Sequence, residues 1–237
     1  MTARPHRLVL ALLACACDVQ VDSGYLGEPL AVLPGYVTGT PPTAPVEAAM
    51  LWQRGPPPSY TDVELATRAP VSTAFPASFT LRLYQPPPAA ALRTLAAGEV
   101  AFARANAAAI PYGIAPAGIG ALPTAGNTGS YTIDPAHWIV HLAAPVPPDS
   151  LMEWWLGAAL PRGYALLKVT EGCPTPDALA ACIAELRRRG VPEDGSGAPG
   201  TAGAYCRAPY RLAPAPAGEQ LVLVLGTPQP PPPGTCP

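Results

Sequence analysis

Two histidines four positions apart, His137 and His141, are the first residues whose type and spacing suggest chemistry. On a helix an i, i+4 pair would face one way and clamp a metal ion. Here Trp138, Ile139 and Val140 fill the gap and Pro135 precedes it, so the pattern predicts a strand. Residues four apart on a strand share a face but lie ~13 Å apart at ~3.3 Å per residue, too far to share one ion. Asp134 stands three positions before His137, which leaves a Ser-His-Asp arrangement open by composition. No serine sits in a G-x-S-x-G elbow, and Asp134 reads more simply as part of a turn entering a strand. No catalytic residue is assigned on this basis, and neither a metal nor a cofactor is expected.

Gly195-Ser-Gly-Ala-Pro-Gly200 fits the dinucleotide pattern G-x-G-x-x-G, but no strand leads in and Pro199 prevents a helix from opening. It reads as a flexible connection. Arg187, Arg188 and Arg189 close a predicted helix at its negative end, a role that explains them better than a phosphate site does. Trp154-Trp155 is the more informative pair. Neighbours on a helix point ~100° apart, so one indole can bury while the other faces a ligand or partner. Tyr205, Arg207 and Tyr210 form a second candidate recognition patch.

Four cysteines lie far from the N-terminus: Cys173, Cys182, Cys206 and Cys236. No tight C-x-x-C pair marks a metal site, and in an exported chain an even set pairs in one of three ways. Pro174 and Pro176 stiffen the approach to Cys182, which disfavours Cys173 with Cys182. The favoured arrangement is Cys182 with Cys206 and Cys173 with Cys236.

Export itself is read from the start of the chain. Arg4, His6 and Arg7 precede the apolar run Leu8–Ala14, and polarity returns at Asp18. A basic start, a short apolar centre and a small residue before the cut form a secretory signal peptide. Leu12-Leu13-Ala14-Cys15 resembles the lipobox of bacterial lipoproteins. The resemblance implies cleavage before Cys15, acylation of its thiol, and membrane lipid as a partner through that cysteine. Ala16 after Cys15 implies the outer membrane; a cut at Cys17 would place Asp18 next, the inner-membrane signal in some bacteria. Read instead as an ordinary A-x-A site, Ala14-Cys15-Ala16 would release a soluble periplasmic or secreted chain.

The formal net charge is −2, with no basic patch suited to nucleic acid. Hydrophobic residues make up 49%, which argues for a packed core despite 35 prolines and 22 glycines. Strand patterning predicts Leu30–Thr38 broken at Pro34-Gly35, Val46–Trp52, Val63–Leu65, Phe79–Tyr84, Val100–Ala105, Tyr131–Ile133, Trp138–Leu142, Tyr164–Val169 and a central strand Gln220–Leu225. Helices are expected near Ala89–Ala97, at 150–157 behind a Ser150–Glu153 capping box, and at 176–189 behind Thr175 and Pro176.

The fold class is therefore mainly β: a β-sandwich-like domain with two or three short helices and a disulfide-stapled C-terminal region. The expected organisation is signal peptide 1–14, lipidated cysteine and tether 15–28, β-sandwich-like part 29–110, Gly/Pro-rich loop or linker 111–130, β-rich part 131–226 and Pro-rich tail 227–237. Val37–Ala105 loosely resembles immunoglobulin-like or transthyretin-like lipoprotein modules in strand rhythm. The stretches Phe75-Pro-Ala-Ser-Phe-Thr-Leu and Leu160-Pro-Arg-Gly-Tyr164 are similar to lipoproteins of GC-rich bacteria. The function expected is a non-enzymatic binding or scaffolding module of the cell envelope, with another envelope protein as a potential partner. A pilot-like assembly lipoprotein and an extracytoplasmic hydrolase are the alternatives.

Overall fold

The structure is a computed structural model describing residues 26–41, 45–54, 62–72, 74–95, 97–112, 132–171, 175–192, 201–208 and 210–225. Cys15, Cys17, Cys173, Cys236, the Gly195–Gly200 motif and the Pro-rich tail lie outside them. Among the described residues the strands are β1 (Ala31–Gly39), β2 (Val46–Arg54), β3 (Asp62–Pro70), β4 (Ala77–Leu83), β5 (Phe102–Pro111), β6 (Thr132–Ile133), β7 (His137–Leu142), β8 (Gly163–Glu171), β9 (Tyr210–Pro214) and β10 (Leu221–Leu225). The helices are α1 (Leu151–Leu156), α2 (Pro176–Arg188) and α3 (Ala202–Cys206).

Ten strands make two sheets, as the alternating apolar pattern requires. The smaller has the order β10-β1-β4, and the larger β3-β2-β5-β7-β8-β9 with β6 beside β5. Between them lies the main core, where Val37, Phe79, Leu81, Leu221 and Leu223 meet Met50, Trp52, Ala105, Ala107 and Ile139. Alanines from β2 and β5 fill much of this layer, which lets the sheets approach closely. β2 is buried on both faces from Glu47 to Gln53, so alternation along it is lost. On the far face of the large sheet, Met152 and Leu156 of α1 pack against Phe102, Trp138, Val140, Leu142 and Leu167.

Several expectations are corrected. Pro34-Gly35 does not break β1, which pairs with β4 in continuous register from Ala31 to Val37. Gly35 is required there because a Cβ would collide with the Phe79 ring and the Leu221 carbonyl. The helix expected over 89–97 shrinks to one 3₁₀ turn, Ala89–Ala91, because Arg93 leaves it to exchange two 2.8 Å backbone hydrogen bonds with Phe102. The segment Ala204–Leu212 divides between two elements. Its first part belongs to α3, capped by the Thr201 hydroxyl and held to α2 by the Cys182–Cys206 disulfide, and β9 starts only at Tyr210. Among the described residues β10 is an edge strand rather than a central one, pairing with β1 alone, in parallel.

The helix signals read well. Ser150 Oγ accepts from Glu153 N at 3.1 Å, and Gly157 stops α1 in the left-handed region at φ 74°. Thr175 caps α2, and Leu179, Cys182, Ile183 and Leu186 form its inward stripe. Arg188 and Arg189 close on Glu185, and Arg189 also donates to the Ser150 carbonyl at 3.1 Å, tying α2 to α1.

Candidate functional site

Two constellations bear on function, one buried and one open. The buried one surrounds His137 at the start of β7. The residue is 4% exposed, with Nδ1 2.8 Å from Asp134 Oδ2 and Nε2 3.2 Å from Glu219 Oε1. Lys168, opposite His137 on β8, donates to the same Glu219 oxygen at 2.9 Å. An ionised carboxylate only accepts, so both contacts become hydrogen bonds at once when both ring nitrogens carry protons, which favours the imidazolium. Asp134 first, then Glu219, raises the His137 pKa from its ordinary 6.5 against the opposing effect of burial. Glu219 is lowered from 4.5, by Lys168 first and then His137.

Asp134 does more than orient a ring. Its Oδ1 accepts from Ala136 N at 2.8 Å, the expected turn into a strand, and its Oδ2 accepts from Val222 N of β10 at 3.0 Å. One carboxylate thus ties the small sheet to the large one. A hydrolytic histidine presents Nε2 to a nucleophile, whereas here Nε2 meets a second carboxylate. His141, four residues along, stacks edge-on to Tyr164 with ring centroids 4.8 Å apart. Burial first, and then Arg162, lowers its pKa, which favours the neutral ring. Among the described residues no group of three His, Cys, Asp or Glu side chains is placed to hold a metal ion.

The open constellation is a cleft of about 120 Å³ between α1, α3 and β9, lined by Trp154, Trp155, Tyr205, Ala208, Tyr210, Arg211 and Leu212. Four of the five surface candidates named from the sequence meet here. Arg207 does not line it; it is exposed at the C-terminal end of α3. The two indoles diverge as helix geometry demands. Trp154 leans on the Leu151–Leu186–Cys206 cluster, and Trp155 on Phe102 and Trp138 at centroid distances of 5.1 and 5.8 Å. Tyr210 extends this wall, 4.9 Å from Trp138. All four lining aromatics are half-buried, each with one side packed and the other facing the cleft.

Rigid supports hold the walls. Tyr205 donates its hydroxyl to the Leu95 carbonyl at 3.1 Å, and the Arg104 guanidinium lies 3.2 Å over the Trp138 ring. Arg211 Nη1 donates to the Ala208 and Tyr210 carbonyls, each at 3.0 Å, so it braces the floor. Neither indole N–H of Trp154 or Trp155 makes a hydrogen bond among the described residues. Sequence reasoning missed Arg104, Trp138 and Arg211, because strand register and the β8–β9 connection, rather than local pattern, bring them together.

Comparison with known proteins found no matching family model, no matching curated protein and no matching solved structure.

Proposed function

We propose that this chain is a lipid-anchored protein of the bacterial cell envelope, facing the periplasm or the surface, whose sandwich presents the aromatic cleft to a ligand or partner, with no catalytic role. The cleft lined by Trp154, Trp155, Tyr205 and Tyr210 is the observation that carries this reading. Aromatic rings that are packed behind and open in front supply contact area at little entropic cost, the usual property of a recognition surface. The anchoring part rests on Leu12-Leu13-Ala14-Cys15, and the Cys182–Cys206 disulfide suits an oxidising compartment.

Two experiments test the two parts. Intact mass of the protein from a membrane fraction is expected to show a diacylglycerol-type adduct on a chain beginning at Cys15; an unmodified soluble chain would overturn the anchor. Titration of the full chain with a proline-rich peptide, an oligosaccharide and a fatty acid, read by tryptophan emission, is expected to give a saturable change with one class. Trp154→Ala should lose that response while its far-ultraviolet circular dichroism and Cys182–Cys206 bridge show that it still folds. No saturable response to any class would overturn the binding role.

A further inference from the structure

We propose that the outer face of the small sheet is a second interaction surface, which lies on the bilayer that holds the anchor and so turns the aromatic cleft away from the membrane. The proposal rests on the reading of the chain as lipid-anchored.

Register defines the face. Leu33, Val37, Leu81, Leu83, Leu221 and Leu223 point into the core between the sheets, so their neighbours along each strand point out. On β1 these are Val32, Pro34 and Tyr36, which stand opposite Arg82, Thr80 and Ser78 of β4. On the other side Val222 of β10 is opposite Tyr36, and Val224 is opposite Thr38. Leu30 extends the row, because its N–H still donates to the Leu83 carbonyl at 2.6 Å. A solvated face of an antiparallel sheet ordinarily carries polar side chains. Here Leu30 is 54% exposed, Val32 50% and Val224 38%, half of the six exposed large hydrophobic residues among those described. A fourth, Leu26, is 68% exposed just upstream.

Charge and size choose the partner. The outward positions of these three strands hold one charged side chain, the exposed Arg82, and no carboxylate, although the chain as a whole is net negative. Apolar side chains beside a lone arginine and a tyrosine suit the boundary between headgroups and acyl chains of an anionic bilayer. A protein partner would need more room. Eight residue steps from Leu30 to Thr38 and three strands abreast give a face of roughly 400 Å². That is half of the ~800 Å² per partner of a stable protein complex. A bilayer asks for less, since the acyl chains already hold the molecule there and the face has only to orient it.

Position agrees with this. Eleven residue steps separate Leu26 from Cys15, and chain geometry limits that distance to about 40 Å at full extension. Acyl chains on Cys15 would therefore keep the start of β1 close to the membrane. The cleft is on the other side of the sandwich, because α1 packs against the far face of the large sheet. One sheet-to-sheet spacing and one helix diameter, ~20 Å together, separate the small sheet from the helical layer. With the small sheet against the bilayer, the cleft is carried outward to where a partner has access.

The test uses the acylated full chain in vesicles of phosphatidylethanolamine and phosphatidylglycerol, doped with phosphatidylcholine brominated near the glycerol end of its acyl chains. The four tryptophans of the chain lie off this face: Trp52 points into the core between the sheets, and Trp138, Trp154 and Trp155 belong to the far side. Bromine should therefore leave wild-type emission nearly unchanged, whereas most of the emission added by Val32→Trp should be quenched. Val224→Trp, on the neighbouring strand, is a second reporter and should respond in the same way. Adding Leu30→Glu and Arg82→Glu to the Val32→Trp chain should restore its emission while far-ultraviolet circular dichroism and the Cys182–Cys206 bridge show a folded protein. Reporters quenched no more than the wild type would overturn the proposal. So would reporter emission that ignores bromine and moves to shorter wavelength as protein concentration rises, which assigns the face to a second copy of the chain. Intact mass separates the two readings. A chain with no adduct at Cys15 ends the anchor and this orientation together, and an acylated chain whose reporters ignore bromine ends the orientation alone.

Discussion

His137 shows how far a short-range reading carries at the scale of single residues. The Asp134–His137 spacing is legible in the sequence, and the turn it suggests is present as the Ala136 N to Asp134 Oδ1 bond. Glu219, 82 residues further on, is not legible, because only the packing of β10 against β6 and β5 brings its carboxylate to Nε2. The consequence is a defined pH window. The raised His137 pKa contributes stability that is complete below its ordinary 6.5 and lost as pH rises through the folded value. The lowered Glu219 pKa contributes stability that is complete above 4.5 and lost as pH falls through its folded value. Both are fully present between those two ordinary values. Urea midpoints should therefore fall on the alkaline side in the wild type, and His137→Gln should flatten that arm. An unchanged alkaline slope in the variant would show that another group sets it. Tyr164, which burial pushes up to about 12, should by contrast remain neutral through this range, and burial favours the neutral form of His141.

Among elements, those with self-contained signals were the readable ones. α1 and α2 carry their own caps and stops, so their limits follow from Ser150, Gly157, Thr175 and Pro176. Ala89–Ala97 has helix-forming composition but no capping side chain, and the Arg93–Phe102 exchange outcompetes the next turn. α3 is the converse, a one-turn helix in an Ala/Gly stretch that exists because Thr201 caps it and Cys206 is bridged. Losing that bridge in a Cys182→Ser, Cys206→Ser variant should cost about 2–4 kcal/mol in urea unfolding. α1 has one support that its own sequence does not announce. Glu99 accepts from Leu151 N and Met152 N, each at 3.2 Å, and so caps the helix from 52 residues away. Glu99→Ala should lower stability by about 0.5–2 kcal/mol, the range for a lost N-terminal cap. Gly35→Ala should be at least as damaging, at about 1–3 kcal/mol for overpacking, because the Phe79 ring and a strand carbonyl occupy the place of the new methyl group. Thermal melts of the two variants beside wild type check both.

For the molecule as a whole, the β-sandwich class was legible because alternation survives along β1 and β4, and sheet order was not. Nothing local tells Leu221–Leu225 that it pairs with β1 in parallel rather than joining the large sheet, since that choice depends on which apolar faces must meet. The aromatic cleft was legible in its residues and illegible in its assembly. Trp154 and Trp155 belong to α1, Tyr205 to α3 and Tyr210 to β9, and they converge through the disulfide and the β8–β9 pairing. Polar ties close the sandwich at several places, among them the Asp134 carboxylate on Val222, the Tyr164 hydroxyl on the Gln85 carbonyl at 2.7 Å and the Thr67 hydroxyl on the Arg82 carbonyl at 2.9 Å.

The first of those ties has a social consequence. Val222 N lies on the side of β10 turned away from β1, where a strand from another copy would otherwise dock. Anchoring of the kind proposed above would confine copies to a plane and raise their encounter rate, so a bare strand edge would invite chains to stitch together. By occupying that donor, Asp134 would oppose such pairing, and Asp134→Ala should then show light scattering that grows with protein concentration below the melting temperature of the variant.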